Sequence, residues 1–260
     1  MSPDPAPVPG LLVELRDGVL RLTLDRPDVL NAFSAEMAVG LASELERASA
    51  RDEVRVVVLA GAGEAFSTGA DLSGGDPFDE QTMDLANRMV RAVVACDKPV
   101  VAAVAGIAAG IGCSLALAAD LQVAAESATF LLAFTRVGLM PDGGSSATVA
   151  AAVGRARAMR MALLAEPLPG RAAYDAGLVS HLAPDDQHAD VVDRLARRLA
   201  GGPPLAFAAT KRAINAATLA ALEPALDREK SGQQLLMRTA DVAEGIAAFL
   251  NRRRPDFRGH

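Results

Sequence analysis

A buried strand, a glycine-rich turn and a helix follow one another in residues 100–114, which read VVAAVAGIAAGIGCS. Val100–Val104 is apolar at every position, which predicts a strand that is covered on both faces. The glycine-rich turn comes next, and the alanine-rich sequence up to Ala119 predicts a helix. This order is typical of an α/β fold or of a spiral built from β-β-α turns.

The same pattern recurs on both sides of this stretch. Val54–Leu59 and Leu121–Ala124 are further apolar strands, and Phe78–Cys96 has the spacing of an amphipathic helix. At the start of the chain, Leu11–Leu15 and Val19–Leu24 alternate apolar and polar residues, which predicts a β-hairpin. The sequence therefore predicts an α/β core with an antiparallel start.

The C-terminal part of the chain is predicted to be helical. Beyond Ala183 the strand pattern ends, and four segments with helical spacing follow, at residues 186–199, 205–221, 224–239 and 239–253. The run Gly201-Gly202-Pro203-Pro204 is the best linker candidate. We therefore predict a core over residues 1–200 and a helical region over residues 201–260.

Composition excludes several classes of protein. The 260 residues are 51% hydrophobic and carry a formal charge of −6, which is typical of a globular chain and unlike a nucleic-acid-binding one. Apolar runs end well short of the ~20 residues that a membrane helix needs, and Met1–Gly10 lacks the features of a signal peptide. The two cysteines and three histidines are scattered, so neither a disulfide framework nor a metal site is predicted. We expect a cytoplasmic protein that binds neither a membrane nor nucleic acid.

The glycine turns allow two readings on pattern alone. Gly110 and Gly112 open a helix after a strand, as in a dinucleotide-binding motif, but the third glycine of that motif is replaced by Leu115. The turn that begins at Gly61 does not match the dinucleotide-binding motif either, because Phe66 replaces the third glycine. Tight α/β turns without a ligand remain the simpler interpretation of either turn alone.

Four motifs taken together resemble the crotonase, or enoyl-CoA hydratase/isomerase, family. They occur in family order and extend over nearly the whole chain, with supporting matches at residues 176–179 and 249–253. The motifs are RPDVLNA at 26–32, AFSTGADL at 65–72, AVAGIAAGIGC at 103–113 and VGLMPDGG at 137–144.

The resemblance implies a fold, a substrate and an assembly. The fold is a crotonase-like spiral of β-β-α turns with a C-terminal helical trimerisation region, and the assembly is a homotrimer or a dimer of trimers. The substrate is an acyl-CoA thioester, so coenzyme A enters as part of the substrate and no separate cofactor is expected. Apolar stripes on the C-terminal helices, such as Leu222, Leu226 and Leu235, agree with an oligomer.

The resemblance also implies an oxyanion hole formed by the backbone N–H groups of Ala70 and Ile111. Such donors stabilise the negative charge of the enolate that forms when an α-proton leaves. Many relatives have glycine in place of Ile111; an amide donor survives this change, and the larger side chain is expected to narrow the pocket. In hydratases of this family two glutamates work beside the oxyanion hole. Here their positions hold Ser114 and Phe134, neither of which exchanges protons near neutral pH.

Asp142 is the remaining candidate for proton transfer. The isomerase branch of the family places one acid immediately after the proline of this motif, and a single acid is sufficient to move a double bond between the 3 and 2 positions. Taken alone, Pro141–Gly144 is also typical of a β-turn. The sequence thus favours an enoyl-CoA isomerase, with a hydratase or other enolate-forming enzyme, or a non-catalytic acyl-CoA-binding relative, as alternatives.

The remaining candidates are substrate contacts implied by motif position. Asp28, Val29 and Leu30 match a segment that contacts coenzyme A, although an acid at position 28 is unsuited to a phosphate. Phe249 and Arg252 match positions that reach the adenine of a neighbouring subunit's ligand. The rest of the predicted pocket comprises Phe66, Thr68, Asp71, Leu72, Gly110, Ser114, Phe134 and Pro141.

Overall fold

The computed structural model describes residues 7–72 and 80–260. Each repeat of the fold contributes two strands and a helix, as predicted. The first ends in α2 (Glu80–Ala95), the second in α3 (Ile111–Ala118) and the third in α4 (Ser145–Leu164). Their strands are β3 (Val56–Gly61), β4 (Ala65–Ser67), β5 (Val100–Val104), β6 (Ile107–Ala109), β7 (Leu121–Ala125) and β8 (Thr129–Leu131). The predicted start of α2 at Phe78, like the beginning of the leader, lies outside the described residues.

The chain begins with the predicted hairpin. Strands β1 (Leu11–Arg16) and β2 (Val19–Leu24) pair antiparallel. Helix α1 (Ala35–Ala50) follows, and the Ser34 hydroxyl caps it by accepting a hydrogen bond from the Met37 N–H at 3.2 Å. This cap satisfies one of the amides that a helix start leaves unpaired.

Two sheets receive alternate strands of the repeats. The larger sheet has the order β1-β2-β3-β5-β7-β10, where β10 is His181–Ala183, and it is parallel from β2 onward. The smaller sheet has the order β4-β6-β8-β9, where β9 is Leu168–Pro169. Short helix α5 (Gly170–Asp175) connects the two edge strands. The carboxyl ends of β4 and β6 lie side by side, which brings the two glycine turns together.

The position of strand β5 explains why residues 100–104 are all apolar. Val100, Ala102 and Val104 face the main core, whereas Val101 and Ala103 face a second cluster with Val192 and Ala196. The last two residues belong to α6 (His188–Ala200). The larger sheet is therefore a middle layer, with helices on both faces.

Three helices complete the chain: α7 (Pro204–Thr218), α8 (Leu222–Leu236) and α9 (Ala240–Leu250). Lys211 of α7 forms an ion pair with Asp120, in which Nζ lies 2.8 Å from Oδ2. Helix α9 packs on residues 133–137, where a Cβ on Gly245 would lie 2.6 Å from the Val137 backbone. Gly245 therefore permits a backbone approach that a larger residue would block. Among the described residues, no helix has both the length and the apolar character needed to cross a bilayer.

Candidate active site

A cavity of about 270 Å³ opens between α2, α3, α9 and the segment 131–142. Its wall is mainly apolar, with Met83 and Ala86 from α2 and Leu139 from the loop. The cavity brings together eight of the residues predicted from the sequence, namely Thr68, Ala70, Leu72, Gly110, Ile111, Phe134, Asp142 and Phe249. Residues that are separated by up to 181 positions in the chain thus meet at one site.

Two backbone amides are available at the junction of the glycine turns. Phe33 N–H donates to Gly69 O and Asp71 N–H donates to Phe33 O, so the Ala70 N–H between them is turned to the opposite side. Ile111 is the first residue of α3, where an amide has no partner within the helix. Both residues line the cavity. The helix N-terminus adds positive potential there.

A glycine makes this junction possible. Gly69 has φ +98°, and a Cβ at this position would lie 3.0 Å from Ala109 O and 3.4 Å from Ile111 N. Any side chain would therefore strain the turn and crowd the start of α3.

Asp142 lies in the wall of the cavity and is only 6% exposed. Its Oδ2 accepts a hydrogen bond from Gln233 Nε2 at 2.8 Å. Its Oδ1 is buried and has no hydrogen-bond partner among the described residues. Burial raises the pKa of Asp142 to about 7, the Gln233 hydrogen bond opposes this rise, and the negative charge of Glu229 adds to it. The carboxyl group is therefore suited to exchange a proton near neutral pH.

Gln233 of α8 binds the loop at residues 138–144, and both polar atoms of its side chain take part. Its Oε1 accepts from the Met140 N–H at 3.2 Å. Its Nε2 donates to Met140 O and to Asp142 Oδ2, each at 2.8 Å. The residue is fully buried, so these bonds form away from competing water.

Glu229 holds the other end of the same loop. Its Oε2 accepts from Gly144 N–H at 2.6 Å and its Oε1 accepts from Ser146 N–H at 3.0 Å. Gly144 has no side chain with which to cap α4, and Glu229 supplies that cap from one turn before Gln233 on α8. Burial raises the pKa of Glu229, and its hydrogen bonds to this loop oppose the rise.

Eight of the predicted substrate contacts do not line the cavity, and three of them, Phe66, Ser114 and Pro141, come from the motifs that surround it. Phe66 is fully buried in the main core. Ser114 is also fully buried, and its hydroxyl donates to Asp142 O at 2.8 Å. Pro141 is partly buried beside Asp142. Phe66 thus packs the core and Ser114 supports the backbone of Asp142, while the predicted substrate contact of all three residues stays a prediction.

The segment of Asp28, Val29 and Leu30 lies next to the cavity without lining it. Thr68 N–H donates to Leu30 O at 3.1 Å, while Val29 and Leu30 are 39% and 43% exposed. Asp71 is paired with Arg26 at 2.9 Å, so it braces the turn that carries Ala70. These positions agree with a rim to the site.

The end of α9 lies next to the cavity, and its predicted contact with a neighbouring subunit's ligand stays a prediction. Phe249 borders the cavity of its own chain although it is 61% exposed. This follows because Gly245, one turn earlier, brings α9 close to Val137. Arg252 lies beyond the helix, is exposed and does not line the cavity.

Sequence reasoning missed Glu229 and Gln233. Both occur on the buried stripe of α8 with Leu222, Ala225 and Leu226. Two polar residues on an otherwise apolar helix face need buried partners, and this signal was present in the sequence. The identity of those partners was not, because it depends on how α8 packs against the loop.

Comparisons with known proteins agree with this geometry. The family model described as enoyl-CoA hydratase/isomerase matches residues 14–260, and the chain belongs to that family. The chain is 39% identical over 257 residues to the 1,2-epoxyphenylacetyl-CoA isomerase of Escherichia coli, covering 96% of this chain and 98% of that protein. It is 43% identical over 250 residues to a probable enoyl-CoA hydratase of Rhodobacter capsulatus, covering 95% and 96%.

Solved structures give the same result. A crystal structure of an enoyl-CoA hydratase from Mycobacterium avium subsp. paratuberculosis superposes with a TM-score of 0.93 at 50% identity, covering 97% of this chain and all of that one. The crotonase fold predicted from the sequence is thus confirmed. Relatives named as isomerases and as hydratases both occur.

Proposed function

We propose that this protein is an enoyl-CoA isomerase that moves a double bond from the 3 to the 2 position of an acyl-CoA. One observation carries the proposal: the cavity wall holds a buried carboxyl group, Asp142, with one oxygen bound to Gln233 and the other without a partner among the described residues. The Escherichia coli relative is named as an isomerase of a CoA ester with an epoxide, which supports isomerisation of a CoA ester in general.

The proposed reaction needs one proton carrier and a stabilised enolate. Asp142 Oδ1 takes the proton from C2, and the electrons of that C–H bond move into the thioester to give an enolate. The N–H groups of Ala70 and Ile111 stabilise the enolate oxygen. Asp142 then returns the proton to C4, the double bond lies between C2 and C3, and the carboxyl group ends in its starting state.

Water addition is disfavoured by the residues at the two other acid positions. Ser114 uses its hydroxyl on the Asp142 backbone, and Phe134 is an apolar part of the cavity wall. Neither supplies a second acid or base. A buried apolar wall also limits the access of water to the enolate.

The test uses two substrates in separate reactions followed by the absorbance of the conjugated thioester. With a 3-enoyl-CoA we expect the absorbance to rise as the double bond moves into conjugation. With a 2-enoyl-CoA we expect no hydrated product, which mass spectrometry would detect as a gain of one water. Hydration of the 2-enoyl-CoA would instead favour a hydratase, and binding of both esters without turnover would favour a non-catalytic relative.

A further inference from the structure

Helix α8 binds both ends of the loop that carries Asp142. Gln233 bonds to Met140 and Asp142, and Glu229 bonds to Gly144 and Ser146. Because the two side chains are four residues apart, they project from the same face of the helix. The position of the loop is therefore set by a helix that lies about ninety residues later in the chain.

The orientation of the Gln233 amide is fixed by the backbone. Met140 N–H can only donate, so the atom that faces it must be the amide oxygen. The NH₂ group then has two hydrogens, and these point to Met140 O and to Asp142 Oδ2. Asp142 Oδ2 thus faces a donor in this arrangement.

This arrangement favours one carboxyl oxygen of Asp142 over the other as the carrier of a proton. A proton on Oδ2 along the same direction would oppose the N–H of Gln233, whereas Oδ1 has no partner among the residues described. We propose that Gln233 is a positioning residue that fixes the rotamer of Asp142 and assigns the transferable proton to Oδ1. The inference rests on the proposed function only in taking Asp142 as the proton carrier.

The charged groups around Asp142 are few. On α8, the negative charge of Glu229 opposes ionisation of Asp142 and so raises its pKa. The positive charge of Arg228 lowers the pKa of Glu229. Arg136 lines the same cavity from the segment 133–137, and one of its nitrogens donates to Ala165 O at 2.7 Å. The described cavity residues of α2, α3 and α9 are uncharged. Gln233 and Glu229 therefore shift the pKa of Asp142 from the same helix in opposite directions: Gln233 lowers it and Glu229 raises it.

The test compares three variants of α8. Gln233→Met keeps the length of the side chain and removes all three hydrogen bonds, so we expect kcat to fall about 10- to 100-fold with KM little changed. The pKa of Asp142 should rise, because a donor to the carboxylate is lost. Glu229→Gln should move that pKa in the opposite direction. Gln234→Met is the matched control, since Gln234 is the next residue along α8 and lines no part of the cavity, and it should match the wild type.

The ionisation of Asp142 is measured directly by ¹³C NMR of protein labelled at the aspartate carboxyl carbons, with the resonance assigned by its absence in Asp142→Asn. This readout does not depend on which reaction is catalysed, so failure of the isomerase assay and failure of the positioning role are separable. Opposite shifts of the Asp142 titration in the Gln233 and Glu229 variants would support the proposal. An unchanged titration and an unchanged kcat in folded Gln233→Met would overturn it.

A second variant guards against misfolding of the first. Gln233→Glu keeps an acceptor for the Met140 N–H and replaces the donor that faces Asp142 by a carboxyl oxygen. The two adjacent carboxyl groups should titrate as a coupled pair, so we expect two steps with one at higher pH than in the wild type, and the pH profile of kcat should change with them. A single Asp142 step at the wild-type midpoint, with no second step, would contradict the proposal.

Discussion

In the proposed reaction a single carboxyl group, that of Asp142, carries the proton, and its environment sets how readily it does so. Asp142 is buried in an apolar wall, which disfavours its charged form, and Gln233 offsets this by donating to one oxygen. The sequence placed an acid after Pro141 but did not distinguish a catalytic residue from an ordinary turn. Burial beside an open cavity, a property of the packed structure, is what favours the catalytic interpretation.

The pH dependence of activity follows from the same environment. In the proposed reaction Asp142 must be ionised to accept the C2 proton, and its pKa is raised to about 7. We therefore expect kcat/KM for a 3-enoyl-CoA to rise with pH through a midpoint near this value and then level off. Initial rates across the pH range would check this. A profile already level in mildly acidic solution would mean that a different group takes the proton.

The raised pKa also predicts a change in stability. The folded protein binds a proton at Asp142 that the unfolded chain, with an ordinary pKa of 3.8, has released. The stability provided by this proton is complete below the unfolded pKa and is lost as the pH rises through the folded pKa. Relative to Asp142→Asn, the wild type should lose up to about 1.4 kcal/mol of unfolding free energy per pH unit in this window. Urea titrations of both proteins at several pH values would measure the difference, and a constant difference would count against the raised pKa.

At the scale of elements, the junction between the glycine turn after β4 and the start of α3 forms the proposed oxyanion hole. A Cβ on Gly69 would meet Ala109 O at 3.0 Å and approach Ile111 N. We therefore expect Gly69→Ala to reduce kcat by about 10²–10³-fold, the loss typical of one oxyanion donor.

The control for this prediction is Gly177→Ala. Gly177 has φ +75°, and a Cβ there would meet no atom within 4 Å. Both variants should carry a similar backbone strain of about 1–2 kcal/mol, but only Gly69→Ala should lose turnover. Equal kcat values for the two variants, with both folded, would rule out the close approach as the cause.

The elements differ in how far the sequence predicted them. Strands β2 and β5 have the predicted limits, because alternation or continuous burial marks a strand clearly. The four C-terminal helices were also predicted, with ends that differ by one to three residues. The partners of Glu229 and Gln233 were not predicted, since hydrophobic spacing identifies a buried face without identifying what covers it. Phe66 and Ser114 were assigned to the site from their motifs, but a motif does not show which side chains point away from the cavity.

At the scale of the whole molecule, apolar surface remains exposed on a single chain. Leu222 and Leu226 pack inside the chain, which corrects their predicted place on a free stripe. Leu205, Ile214 and Leu235 are 83%, 56% and 70% exposed. Exposed apolar side chains on α7 and α8 agree with the contacts between subunits that the family resemblance implies.

We therefore expect a trimer or a dimer of trimers in solution. Light scattering coupled to size-exclusion chromatography should give three or six times the chain mass of 26.8 kDa. A stable monomer would contradict this expectation and the inter-subunit role of Arg252. It would leave the assignment of Asp142 intact, because Ala70, Ile111 and Asp142 of the same chain meet at one cavity.

The most direct test of the account is the turnover of a 3-enoyl-CoA by Asp142→Asn. Asparagine has nearly the same shape but cannot accept the C2 proton, so we predict that kcat falls by about 10³-fold. Binding of the acyl-CoA, measured by calorimetry, should be nearly unchanged. Wild-type turnover in a folded Asp142→Asn protein would contradict the account, because it would move the proton transfer to another group.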